Sequence, residues 1–390
     1  MTEPNPQETS NARHNGEDLA SRTAQMPDAD AAEALESVPA AGRAAVFGRI
    51  SPERRPAIFR HLERETQAQL IQALDPERAR QLLEELESDD RTRFFERLPD
   101  EQRDEALDLL GPDTRRETMR LLRYPPDSVG RLMSLAFVAV PEDWTVGEAL
   151  RHLRTPGLDP DAVSTIYVTG RDGCLVDALN LPRFVFADPG TPVRNIMDRV
   201  FVSITPSEDR EAAMRLMQRH DLITLPVVDE RGTLIGVVSV DDAMQVAEEE
   251  ATEDIQRQAG IEPLRATYPD VAARSLFIKR LPWLAALIFV YLGASGVISA
   301  FEEALAAEIV LAAFIPLLMG SGGNVGAQSG TLIVRALAVG DLEGRQWVKA
   351  LKKELVVGLV LGLALGVLAG AALTSGAEAI SPSSWARRCC

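Results

Sequence analysis

Residues 309–334 read Ile-Val-Leu-Ala-Ala-Phe-Ile-Pro-Leu-Leu-Met-Gly-Ser-Gly-Gly-Asn-Val-Gly-Ala-Gln-Ser-Gly-Thr-Leu-Ile-Val. These twenty-six residues carry no charge, and a helix of that length crosses a bilayer core. Their centre is unusual for such a helix. Pro316 is followed by Gly320-Ser321-Gly322-Gly323-Asn324-Val325-Gly326-Ala327-Gln328-Ser329. A proline and amides deep in lipid are costly unless they face protein or a watery path. No Lys-Ser/Thr pair follows the glycines, which excludes a phosphate loop. Two readings stay open at this point. One is a kinked helix packed on its neighbours. The other is a pore lining, with Asn324 and Gln328 offering oxygens to a hydrated cation beside Gly323.

Two further uncharged runs flank this one, at 281–300 and 355–373. The sequence therefore predicts three spans in a transmembrane domain at 271–375. Arg274, Lys279 and Arg280 precede the first span, and Arg335, Arg345, Lys349, Lys352 and Lys353 join the second to the third. Glu302, Glu303 and Glu308 join the first to the second, with no basic residue. The positive-inside rule then puts the N-terminal half and the basic loop in the cytosol of a cell with its inner membrane crossed several times. Gly358, Gly362, Gly366 and Gly370 form one stripe on the third span, a pattern that suits helix packing.

Before the membrane half lies an acidic stretch. Seven of the fourteen residues 241–254 are acidic and none is basic. In helical form Asp242, Gln245, Glu249 and Glu253 fall near one face. Like charges at i, i+4 repel by roughly a few tenths of a kcal/mol per pair. Water offsets this on a solvated helix. A divalent cation also offsets it, since magnesium prefers carboxylate oxygens.

From about residue 129 short β-branched runs alternate with helices. Ile223-Thr224-Leu225-Pro226-Val227-Val228, a turn Asp229-Glu230-Arg231-Gly232, and 233–239 read as a hairpin. Asp241 and Asp242 then suit a helix start. This arrangement resembles the end of a CBS motif. A second copy, 191–250, opens at Asn195-Ile196-Met197-Asp198, and a first, 127–190, opens at Gly130-Arg131-Leu132-Met133. The first copy departs from the pattern. Thr169-Gly170 replaces an expected Asp, and Asn180-Leu181-Pro182 is read as interrupting the second strand and its helix start.

Earlier still, leucines recur every twelve residues at 62, 74, 86, 98, 110 and 122. Phe59, Ile71, Leu83, Phe95, Leu107 and Met119 stand three places before them, on one helical face. Pro52, Pro76, Ser88, Asp100 and Pro112 punctuate the pattern. Short helices of this kind must stack into a solenoid to bury their stripes, here over 36–126. Residues 1–35 are polar and are read as a disordered tail.

The net charge of −17 over 390 residues argues against nucleic acid, whose phosphate backbone needs a basic surface. Three scattered cysteines give no disulfide framework or zinc pattern. No nucleophile–base pair or metal triad points to an enzyme.

The helical repeat, the paired CBS modules, Glu250-Ala251-Thr252-Glu253-Asp254 and Gly322-Gly323-Asn324-Val325-Gly326-Ala327-Gln328, in that order, resemble the MgtE family of magnesium channels and transporters. The resemblance implies a multidomain chain: an all-α helical-repeat domain, tandem CBS α/β domains, a connecting "plug" helix at 242–270 and an α-helical transmembrane domain. It implies a homodimer in a lipid bilayer that admits magnesium and is closed by cytosolic magnesium, with ATP a further partner at a CBS module. Carried onto this chain, the sensing carboxylates are Asp209, Glu211, Asp221, Asp242, Glu253 and Asp254, joined by Asp89 and Asp90 of the repeat. Arg93 follows these two where the family tends to be acidic or neutral. Asn324, Gly323 and Gln328 line the pore, and Glu302 matches a Phe-Glu pair outside the membrane. The family has five spans, the last carrying the carboxylate that selects magnesium. Residues 376–390 do not resemble a fourth, so the expectation is a frame truncated after the third span. The alternative function is a non-conducting, membrane-anchored sensor or an incomplete transporter fragment.

Overall fold

A twelve-residue period in the sequence becomes a twelve-residue period of helices. The computed structural model describes residues 23, 25–155, 161–264, 271–307, 309–338, 342 and 346–379. Residues 1–22 of the tail expected over 1–35 and residues 380–390 of the atypical tail expected over 376–390 lie outside the described residues, as do Glu308 and Arg345. The chain divides into two compact units, residues 1–248 and 249–390.

The first unit opens with α1 (Asp28–Glu36), α2 (Ala40–Phe47) and α3 (Arg55–Arg60). Helical order thus begins earlier than the expected boundary at 36. Ala31, Ala32 and Leu35 bring α1 into the core, and their burial offsets the polar composition around them. Five helices of ten residues follow: α4 (Arg64–Ala73), α5 (Pro76–Glu85), α6 (Ser88–Arg97), α7 (Asp100–Leu109) and α8 (Pro112–Leu121). Pro76 and Pro112 stand at helix starts, where a missing N–H costs nothing. Each helix packs on the one two places along, so the stripes face inward and build one core. Phe59, Phe94 and Phe95 meet edge to face there, with ring centroids 5.5 and 5.4 Å apart.

Two details differ from the sequence reading. Leu74, Leu86, Leu98 and Leu110, read with their partners on one helical face, lie outside the helices. Each sits one place beyond its helix in extended conformation, its N–H donating back into the last turn. The leucine thereby closes the helix and fills the core at once. Met119, assigned to the buried stripe, is 41% exposed, because the buried face of α8 is carried by Thr118 and Leu121 instead.

The two αβ modules follow. α9 (Val129–Leu132) precedes β1 (Val138–Pro141), α10 (Val146–His152), β2 (Thr165–Thr169), β3 (Leu175–Asn180) and α11 (Leu181–Phe186). β1 pairs parallel with β2, and β2 antiparallel with β3. Pro182 does not interrupt this module. β3 stays paired to its last residue, Asn180 opposite Thr165, and the proline falls in the first turn of α11. The second module has α12 (Arg210–His220), the antiparallel hairpin β4 (Thr224–Val228) and β5 (Leu234–Ser239), and the start of α13 (Val240–Gln258). A single parallel bridge, Ile204 to Val227, stands in for its first strand.

The hairpin tips meet. Gly173 and Gly232 hold φ of +80° and +82°, a region glycine enters without strain, and Leu175 N–H donates to the Gly232 carbonyl at 2.9 Å. Tyr167 lies buried between the modules, its hydroxyl 2.8 Å from Thr224 Oγ1, and burial lifts its pKa to about 12.

The opening segments are exchanged. Val129, Leu132 and Met133, read as the start of the first module, pack in the core of the second with Ile204, Met217, Leu225 and Val238. Ser134 bridges Val237 of β5. In return Val193, Ile196 and Met197, read as the start of the second module, pack in the core of the first. Asp177, fully buried, holds this crossing with Oδ2 accepting from the backbone N–H groups of Asp198 and Arg199.

In the second unit α13 ends at Gln258, short of the predicted 270, with Gly260 at φ +69° just beyond. α14 (Ala273–Ala300), α15 (Glu302–Ala307), α16 (Ile309–Ala338) and α17 (Trp347–Ala379) follow. Among the described residues two stretches are long and apolar enough to cross a membrane, Ala273–Ala300 at mean hydropathy 2.0 and Trp347–Ala371 at 2.2. The second expected span, 309–334, is helical in α16 but is not among these two. From Phe314 on, where its side chains are described, Ser321, Asn324, Gln328 and Ser329 dilute its apolar character.

Candidate functional site

Two helix N-termini converge in the first unit, and both carry carboxylates. Asp89 and Asp90 lie in the first turn of α6, and Asp241 and Asp242 in the first turn of α13. A carboxylate is favoured at such an end by the helix dipole. Four of them together repel. Arg93, one turn along α6, lies between them. Its Nη1 is 3.2 Å from Asp90 Oδ1 and its Nη2 2.5 Å from Asp242 Oδ1. The other oxygen of Asp242 accepts from Ser239 Oγ at 2.5 Å. Arg60 Nη1 stands 3.7 Å from Asp241 on the open side.

The cluster is shielded from water: Asp89 and Asp242 are each 5% exposed. Burial and then the charges of Asp242, Asp90 and Glu87 push the Asp89 carboxyl well above its ordinary value, with Arg93 opposing. Burial also raises Asp90, less strongly, because Arg93 opposes it next. For Arg93 burial acts to lower the pKa, and Asp242 and Asp90 overcome it and hold the guanidinium charged. Asp89 Oδ1 and Arg60 Nε are buried without hydrogen-bond partners. His61, at the edge, is pushed down by burial and by Arg60.

The remaining expected carboxylates lie elsewhere. Asp209 caps α12, its Oδ1 accepting from Glu211 N–H at 2.8 Å. Glu211 pairs with Arg215 at 2.7 Å. Asp221 ends the same helix in the left-handed region at φ 53°. Twelve residues of helical rise separate Asp209 from Asp221 by about 18 Å, so one ion cannot join them within one chain. In the second unit Glu253 pairs with Arg257. Asp254 is half-buried one place along α13. Among the described residues no group of three or more carboxylate, imidazole or thiolate side chains is arranged to hold a metal ion.

Sequence reasoning named Arg93 beside Asp89 and Asp90 but missed its pairing with Asp242, and it missed Ser239 and Arg60 as members of the cluster. Two of them carried a signal. Arg93 stands at i+3 from Asp90, a neighbouring position on a helix. Ser239-Val240-Asp241-Asp242 has the spacing of a helix-capping pair.

In the second unit Asn324, Gly323 and Gln328 lie on exposed faces of α16. Ser329 Oγ donates to Glu354 Oε2 of α17 at 2.5 Å, and Gln258 of α13 donates to Thr331. The glycines of α16 and the stripe Gly358, Gly362, Gly366 and Gly370 face open space.

Three family models match the chain in the order of its domains: the MgtE intracellular N domain over residues 26–127, the CBS domain over 193–249, and the divalent cation transporter domain of MgtE over 315–383. The crystal structure of the cytosolic domain of the Mg2+ channel MgtE in complex with ATP is 35% identical, with a TM-score of 0.55. The match covers 58% of this chain and 93% of that one. This chain belongs to the MgtE family. The magnesium transporter MgtE of Thermus thermophilus is 42% identical over 239 residues, and that of Bacillus subtilis 33% over 236. These matches cover 61% and 60% of this chain, and 53% and 51% of those proteins. The chain spans about half the length of the curated MgtE relatives it matches. The MgtE transporter model starts at residue 315 and therefore takes in the polar insert of α16 and the whole of α17.

Proposed function

We propose that the chain is a subunit of a magnesium transporter of the cell membrane, working as a homodimer with its first unit in the cytosol. The observation that carries the reading is α16: a proline and a Gly-Gly-Asn-Val-Gly-Ala-Gln run within a segment matched by a divalent cation transporter model. Amide and carbonyl oxygens suit a cation that keeps most of its water. Asn324 and Gln328, with Gly323 leaving room beside them, line that path.

The regulatory half of the proposal places magnesium on the acidic surfaces of the cytosolic unit and of α13, at Asp209, Glu211, Asp221, Glu253 and Asp254. Shared ions draw such surfaces together, and their loss lets like charges separate and the path open. Asp89, Asp90 and Asp242 do not fit this role as arranged, because Arg93 stands between the last two. ATP at the paired modules is a further proposal, supported by the nucleotide in the related cytosolic domain.

The test is magnesium uptake into liposomes read by a trapped fluorescent indicator. Uptake that falls when internal magnesium is high supports the reading, and Asn324→Ala lowers it. No uptake from the chain, either alone or joined to the remaining transmembrane segment of a relative, overturns it. A chain that binds magnesium or ATP without carrying either is then a membrane-anchored sensor.

A further inference from the structure

The acidic junction in the first unit is built around an arginine. Asp90 and Asp242 belong to helices from different domains, and each contributes an oxygen to the same guanidinium. Asp242 has its second oxygen on Ser239, so both of its acceptors are engaged. The side chains of Arg93 and Asp90 are 17% and 11% exposed, which leaves water little access to screen the pairs. Arg131 reinforces the same contact from α9, with Nη1 2.7 Å from Glu96 of α6. Ser88 Oγ accepts from Leu135 N–H at 2.8 Å.

We propose that Arg93 is a tethered cation that holds the repeat domain on the second αβ module without magnesium, so that this contact is permanent while the other acidic surfaces remain magnesium-dependent. The proposal rests on the reading of the chain as magnesium-regulated and says which surface does not take part. A mobile ion leaves when its concentration falls. An arginine side chain cannot leave, and a divalent ion between Asp90 and Asp242 would have to displace it from both. The consequence is a division of labour. The repeat domain and second module travel as one body, and the cation response is left to the ends of α12 and to the later part of α13.

The experiment is hydrogen–deuterium exchange on the full chain in detergent, following peptides from 88–97 and 239–246, in chelator and in saturating magnesium. In the wild-type chain protection of both peptides is expected to be the same in the two conditions. Arg93→Ala is expected to speed exchange there by about tenfold or more in chelator, and magnesium is expected to restore protection by binding the freed carboxylates. Arg93→Lys keeps a cation in place and retains protection in chelator. Wild-type protection that appears only with magnesium overturns the proposal without any variant. So does an Arg93→Ala chain whose protection in chelator equals that of the wild type. Liposome uptake is measured separately: its absence defeats the transporter reading, whereas the exchange result alone decides the role of Arg93.

Discussion

Arg93 and Asp242 lie 149 residues apart in sequence and meet at 2.5 Å. They join the sixth helix of a solenoid to the first turn of a helix that leads to the membrane half. Removing Asp242 takes a charge-assisted hydrogen bond from Arg93, which keeps Asp90 as its partner, at a cost of about 1.5–3 kcal/mol. Asp242→Ala should therefore lower the stability of the first unit by that amount in chemical denaturation of the full chain. Arg116→Ala, which breaks a pair with Asp113 on the open surface, should give no measurable change. Equal effects would show that burial does not set the strength of the junction.

Asp89 gives the junction a pH dependence. Its folded pKa is raised, so the protonated form stabilises the fold. That contribution is full below the ordinary value of 3.8 and is lost as pH rises through the raised value. Asp89→Asn removes the titration. The difference in stability between variant and wild type should grow in favour of the variant as pH rises from about 4 upward. A difference that stays constant across that range would mean Asp89 does not titrate there.

Phe95 is fully buried at the centre of the repeat core. Phe95→Ala should cost about 3–5 kcal/mol. Met119→Ala, off the buried face of α8, should cost well under about 1 kcal/mol. The pair of measurements checks that Met119 lies off the buried face of its helix.

Much of this fold is legible in the sequence because its signals are periodic. Six leucines at a spacing of twelve name the solenoid, and long uncharged runs name helices, two of them long and apolar enough to cross a membrane among the described residues. The hairpin at 223–239 is announced by β-branched residues around Asp229-Glu230-Arg231-Gly232. What escapes is pairing between distant short segments. Gly130-Arg131-Leu132-Met133 looks like the opening of the module it precedes, and nothing in four residues says that it packs in the next one. The site shows the same limit. The carboxylates are visible as acidic stretches, but Arg93 acts through a partner far along the chain.

Gly236 tests the exchange directly. A Cβ there would lie 2.8 Å from Met133 Sδ and 2.9 Å from the Ser134 carbonyl. The carbonyl is backbone and cannot swing aside, so Gly236→Ala should cost roughly 1–3 kcal/mol. Exchange protection at 128–135 should fall with it. Loss of stability without loss of protection in that peptide would place the strain elsewhere.

Orientation in the membrane has its own test. In a background without the native cysteines, Glu303→Cys should react with an impermeant maleimide from outside intact cells, and Gln346→Cys only after the membrane is opened. The reverse pattern would overturn the proposed topology.

The exchanged segments carry a consequence for how this chain can change over evolutionary time. Each module borrows its first apolar side chains from the stretch that introduces the other, and Asp177 fastens the place where the two loans cross. A deletion that trims one copy also opens a hole in its twin. A load applied to either half, whether by a nucleotide, an ion or a neighbouring subunit, reaches the other through shared side chains rather than across a hinge.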